Sequence, residues 1–122
     1  MAQRVKLAGI DVSKPHLDVV IWPTREQRRF NRDAEGLREL VAWLTQHNVY
    51  RIGLEATGGY ERMVVDALEA DDGFEVALLN PLRVRRFAQA KGRLAKNDRV
   101  DAHTVAQFNR RHARPRARAA AT

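Results

Sequence analysis

Cysteine is absent from the 122 residues, which excludes disulfides, thiolate ligands and a cysteine nucleophile. Serine is nearly absent too, with Ser13 alone. The histidines His16, His47, His103 and His112 lack the paired spacing of a zinc site, so any metal here would be held by oxygen. No apolar run approaches the roughly 18 residues that a membrane span requires, and Met1 to Lys6 lack the apolar stretch of a secretory signal. The expectation is a soluble, cytoplasmic protein. A chain of this length with 44% hydrophobic residues can build one core but not two.

Positive charge is abundant and unevenly placed. Residues 1–79 hold ten Lys/Arg against thirteen Asp/Glu, whereas residues 80–122 hold twelve against two, within a net charge of +7. Such a block attracts a polyanion and releases its counterions, the physical basis of salt-sensitive nucleic-acid binding. Arg83, Arg85, Arg86, Lys91, Arg93, Lys96 and Arg99 surround two acids and are candidate nucleic-acid contacts, as is Lys14 farther upstream. Arg114, Arg116 and Arg118 instead read as a solvated tail.

Hydrophobic periodicity orders the elements as βββαβαβαα. Val5 to Ile10, Leu17 to Trp22 and Gln27 to Phe30 read as an antiparallel meander. Leu37, Leu40, Val41 and Leu44 fall at i, i+3, i+4 and i+7 behind the N-cap residue Asp33, predicting an amphipathic helix over 34–47. Tyr50 to Leu54 follows as a strand, Tyr60 to Ala70 as a helix, and Phe74 to Leu79 as a strand buried on both faces. Asn80-Pro81 starts a helix that Gly92 stops, with Val84, Phe87 and Ala88 inward. A last helix is expected from about Asn97 to Arg111, with Val105 and Phe108 inward and Asp98 and Asp101 on the same face. Trp22, Phe30, Trp43 and Phe87 read as core or partner contacts, because no aromatic pair is interleaved with the basic residues.

Four acids stand where elements begin or end. Asp11 and Glu55 each close an apolar run, so that two distant segments can set them side by side at one end of a sheet, while Asp98 and Asp101 lie near a helix start. Carboxylates converging in this way repel one another and make sense when a hard cation such as Mg²⁺ or Mn²⁺ occupies the cluster. Such an ion neutralises charge on a phosphodiester under attack. Each acid also has a structural alternative. The helix dipole favours Asp98 and Asp101 in a first turn, Asp11 can simply end a strand, and Glu55 can cap the helix after Thr57-Gly58-Gly59. The glycine pair reads as a tight turn rather than a phosphate cradle.

The blocks GIDVSKPHLDVV from Gly9, GLEATGGYER from Gly53, LNPLRVRRFAQAKGRLAKNDRVDA from Leu79 and then HTVAQF carry a resemblance over roughly residues 7 to 110. They resemble the N-terminal domain of the DEDD-type transposases of the insertion-sequence one-ten family, the bridge-RNA-guided recombinases of bacterial mobile elements. The resemblance implies an RNase H-like, RuvC-type α/β fold, with a mixed central sheet of a three-strand antiparallel meander plus parallel strands, flanked by helices. It also implies Asp11, Glu55, Asp98 and Asp101 as catalytic Mg²⁺ or Mn²⁺ ligands, and DNA and a structured guide RNA as partners. Assembly as a homodimer or higher oligomer and a nucleoid-associated location follow from the same resemblance. Asn97 departs from the family's threonine but caps a helix equally well.

Residues 1–112 are expected to form the catalytic domain and residues 113–122 a basic Ala/Arg-rich tail or the start of a linker. The family's nucleophilic serine lies in a second domain, and Ser13 does not match it, so this chain is expected to be incomplete for strand exchange. Two other readings remain open: a non-catalytic nucleic-acid-binding module, and a stand-alone metal-dependent resolvase-type nuclease. The GIDVSK opening also suits the phosphate loop of sugar kinases, but the chain has no room for their second lobe.

Overall fold

The computed structural model describes residues 6–56, 58–92 and 102–111. Among the described residues, five strands and four helices follow the expected order: β1 (Lys6–Val12), β2 (His16–Trp22), β3 (Gln27–Asn31), α1 (Ala34–Gln46), β4 (Val49–Glu55), α2 (Arg62–Glu69), β5 (Glu75–Leu79), α3 (Pro81–Ala90) and α4 (Ala102–Arg111). The sheet order is β3-β2-β1-β4-β5. β1, β2 and β3 pair antiparallel, while β4 joins β1 and β5 joins β4 in parallel. The mixed sheet is thus the expected one, with β1 at its centre.

Alternation along β1 and β4 sends side chains to two helical layers. Ala8, Ile10 and Val12 point to one face, where Ile52, Leu54, Leu40, Leu44, Val64 and Leu68 close the main core. α1 begins as its chemistry dictates: Asp33 accepts a hydrogen bond from the Gly36 N–H at 2.7 Å. On α3 the Asn80 side chain accepts from the N–H groups of Leu82 and Arg83, with Pro81 in the first turn, and Gly92 follows at φ +70°. Gly58 and Gly59, at φ +74° and +107°, form the turn before α2 with nothing within 4 Å of where a Cβ would stand.

The opposite face receives α4. Ala102 and Ala106 pack on Val20 and Trp22, while Val105 and Phe108 join Val84 of α3. Val105 and Phe108 are therefore buried as expected, but against α3; the strip of α4 on the sheet carries Ala102, Ala106 and Asn109. The start expected for this helix, with Asn97, Asp98 and Asp101, lies outside the described residues, as do Arg93, Lys96, Arg99 and the tail 113–122.

One expectation is corrected. β5 is not buried on both faces: among the described residues it is an edge strand paired with β4 alone, four of its five residues are half-buried, and Leu78 is 53% exposed. An apolar run of four residues, Val76 to Leu79, carries no record of whether a further strand covers it.

Candidate active site

The parallel register of β1 and β4 sets Ala8 beside Ile52, Gly9 beside Gly53 and Ile10 beside Leu54. One residue further along, Asp11, the last residue but one of β1, comes beside Glu55, the last residue of β4, on adjacent strands about 4.8 Å apart. They fall on the same face as Gly9 and Gly53, the face under α4, and both are half-buried. The alternative role of Glu55 as a cap is excluded, since α2 starts at Arg62 behind Glu61.

Each acid follows a glycine by two residues, and both glycines leave room for what packs on the sheet, the backbone of α4 over Gly9 and the side chains of Asn109 and Leu79 over Gly53. A Cβ on Gly9 would come within 2.4 Å of the Ala106 backbone nitrogen and 2.6 Å of the Ala102 carbonyl oxygen. A Cβ on Gly53 would meet Asn109 at 2.8 Å. The pair forms a shallow trough that lets the α4 backbone lie on the sheet. Farther down, buried Asn109 locks it there by donating to the Ala8 carbonyl at 3.2 Å and accepting from Arg51 Nε at 2.9 Å. Arg51, 6% exposed, also pairs with Glu75 of β5. This network ties α4 to the central and edge strands and holds Ala102, at the other end of the described helix, beside Asp11.

Asp11, Ala102 and His103 line a cleft of about 440 Å³ together with Asp18, Gln27, Arg28 and Arg29. Asp18 stands directly opposite Asp11 across β1 and β2, and Arg29 opposite Asp18 across β2 and β3. Arg29 donates to both Asp18 oxygens, from Nε at 2.7 Å and from a terminal nitrogen at 3.2 Å. That hydrogen bond, then the charge of Asp18, then the charge of Asp11 hold the guanidinium above its already high range, so it stays charged at any working pH.

The structure thus brings Asp11 and Glu55 together, while Asp98 and Asp101 fall outside the described residues. Among the described residues no three His, Cys, Asp or Glu stand close enough to hold a metal ion. The donor set suits a hard divalent cation, since two converging carboxylates offer oxygen and no soft ligand competes. Lys14 is exposed in the β1–β2 turn; on α3, Arg83, Arg86 and Lys91 are exposed and Arg85 half-buried. Ser13 bonds the carbonyl and N–H of His16 and shapes that same turn. Sequence reasoning missed Asp18, Arg29, His103, Arg51 and Asn109. A signal was present for the glycines, in the shared Gly-x-acid spacing, and for Arg29, in the four arginines between positions 25 and 32.

The fold is RNase H-like and RuvC-like. The chain is similar to Thermus thermophilus RuvC in complex with Holliday junction substrate, with a TM-score of 0.62 and 16% identity, covering 89% of this chain and 96% of that one. It is also similar to the fowlpox virus Holliday junction resolvase, with a TM-score of 0.51 and 12% identity, covering 63% and 62%. Residues 8–121 match the model of the IS110-type DEDD transposases, and the chain belongs to that family. The pilin gene-inverting proteins of Moraxella lacunata and Moraxella bovis are each 28% identical over 107 residues, 82% of this chain. The chain spans 33% of the length of these relatives. No helix among the described residues is long and apolar enough to cross a membrane.

Proposed function

We propose that this chain is the RuvC-like catalytic domain of a DNA transposase or recombinase, in which carboxylates hold a divalent metal for cleavage and exchange of DNA strands. The observation that carries the reading is the pairing of Asp11 and Glu55 at adjoining strand ends under α4. Asp98 and Asp101 complete the ligand set in this proposal: Ala102, the residue following Asp101, lines the same cleft as Asp11. Asp11 and Glu55 supply hard oxygen donors, and without a counter-charge they would repel one another. Mg²⁺ or Mn²⁺ bound there would neutralise charge developing on a phosphodiester and orient the attacking group.

The basic face of α3, with Arg83, Arg85, Arg86 and Lys91, serves in this reading as a DNA or RNA surface, extended by Arg93, Lys96 and Arg99 and by Lys14 at the strand-end turn. Guidance by a structured RNA, assembly into dimers or larger oligomers, a nucleoid location and a division into residues 1–112 and 113–122 belong to the same proposal. In the same proposal strand exchange uses a serine nucleophile other than Ser13, whose hydroxyl is engaged in the β1–β2 turn.

A thermal-unfolding titration with Mn²⁺ and Mg²⁺ tests the site, using wild type, Asp11→Asn and an Asp98→Asn, Asp101→Asn double variant. A ligand at 100 times its Kd that binds only the folded state adds about 2.7 kcal/mol, or roughly 10 °C for a chain this size. The expected result is a shift in wild type that both variants lose. Equal shifts in all three proteins would remove these acids from the site.

A further inference from the structure

Across the sheet, at the level of the acid pair, four charged residues stand in one row on four consecutive strands: Arg29 on β3, Asp18 on β2, Asp11 on β1 and, one step past the last paired rung, Glu55 on β4. All share the face on which α4 lies. The helix covers β1, β4 and the Val20–Trp22 end of β2, leaving the Asp18 end of β2 and the edge strand β3 as the floor of the open cleft. We propose that this cleft receives the sugar–phosphate backbone of a nucleic-acid strand, and that Arg29 binds the phosphate beside the one presented to Asp11. The proposal deepens the nuclease reading of Asp11 and Glu55 and rests on it.

Three observations carry it. Two strand spacings separate Arg29 from Asp11, about 10 Å between backbones, close enough for one strand to touch both. Asp18 grips one edge of the guanidinium through two hydrogen bonds, and among the described residues the other three of its five N–H donors have no protein acceptor. A planar fork anchored on one edge is preorganised for a phosphate in a way that a lysine is not. Finally, three acids in the row repel a polyanion, so a strand can approach only where cations offset them. The β3 side provides these through Arg29 in the cleft and Arg25, whose guanidinium lies over the Trp22 ring on the same face, whereas Arg28 turns to the other face, over Phe30 and toward Glu39. As protection of an exposed edge, charge of any kind at that position would do; a bidentate arginine facing the acid pair is more specific than that role requires.

Asp18 then acts as an internal stand-in for phosphate, sharing Arg29 with the incoming strand. Removing Asp18 should free the guanidinium and reduce repulsion.

The test measures binding of the full chain to a fluorescent single-stranded oligodeoxynucleotide in EDTA, by anisotropy from low to moderate salt. The proteins compared are wild type, Arg29→Gln, Asp18→Asn, the Asp18→Asn, Arg29→Gln double variant, and Arg38→Gln. Arg38 lies exposed on α1, on the other side of the sheet, and its replacement makes the same change in net charge. Arg29→Gln should bind several-fold more weakly and lower the salt slope by about 0.7, the value for one contacted phosphate on a single strand. Asp18→Asn should bind more tightly, and the double variant, which leaves no unpaired charge, should fall below Asp18→Asn by the same slope increment. Arg38→Gln should keep the wild-type slope. Equal effects of Arg29→Gln and Arg38→Gln, or weakening by Asp18→Asn to the level of Arg29→Gln, would overturn the proposal. An unchanged Arg29→Gln slope beside an intact Mn²⁺ response defeats this inference alone. A lost Mn²⁺ response beside a lowered slope defeats only the metal reading.

Discussion

Gly9 and Gly53 make the clearest case for a single atom deciding a site. Neither has a positive φ, so the requirement is space rather than backbone freedom. A methyl on Gly9 has no flexible neighbour to displace, only the backbone of α4 at Ala106 and Ala102. Gly9→Ala is therefore expected to push the helix off the sheet and cost about 1–3 kcal/mol or more in urea unfolding. The same variant should lose its Mn²⁺ response although no ligand was changed. An unaltered unfolding midpoint would show that α4 does not seat on this trough. Ser13, by contrast, serves the turn, consistent with its exclusion as a nucleophile.

Among the elements, α4 connects fold to function. It carries little apolar bulk toward the sheet, where Ala102 and Ala106 allow close approach, and so its position depends on the buried polar bonds of Asn109. Asn109→Ala would leave Arg51 buried with one fewer hydrogen bond and the Ala8 carbonyl without its side-chain donor. We expect about 2–3 kcal/mol of destabilisation by denaturant titration, together with weaker Mn²⁺ stabilisation. At α1 the effect is local, and Asp33→Ala should cost about 1 kcal/mol through loss of the cap, with the metal response intact. The element order was legible in the sequence because 3.6- and 2-residue periodicities and capping residues are local signals. The exposure of β5 was not, because edge position depends on the pairing of the whole sheet. The Arg51–Asn109 contact, 58 residues apart in sequence, was equally hidden.

For the whole molecule, charge separates into an acidic first part and a basic last part. Replacing Arg83, Arg85, Arg86 and Lys91 together with Gln should reduce the salt slope for duplex DNA by up to about 3–4, near 0.9 for each phosphate no longer neutralised. A slope change no larger than that of Arg38→Gln would turn α3 into a merely solvated face. The structure adds a second basic feature, around β3, that bulk counting concealed because residues 1–79 are net acidic.

Residue chemistry and short-range periodicity were enough to exclude thiolate ligands, order the nine described elements, place the caps of α1 and α3 and single out Asp11 and Glu55 at the ends of strands, since each of these depends on neighbours within a few positions. The motif blocks pointed to the family. Only the tertiary structure decided that β1 and β4 run in parallel in a register that sets Gly9 beside Gly53. It also decided that α4 descends into the trough they form, and that Arg29, Asp18, Asp11 and Glu55 share one row. Those facts depend on strand pairing between distant segments, and a shift of one residue in that pairing would have sent the acids to opposite faces of the sheet.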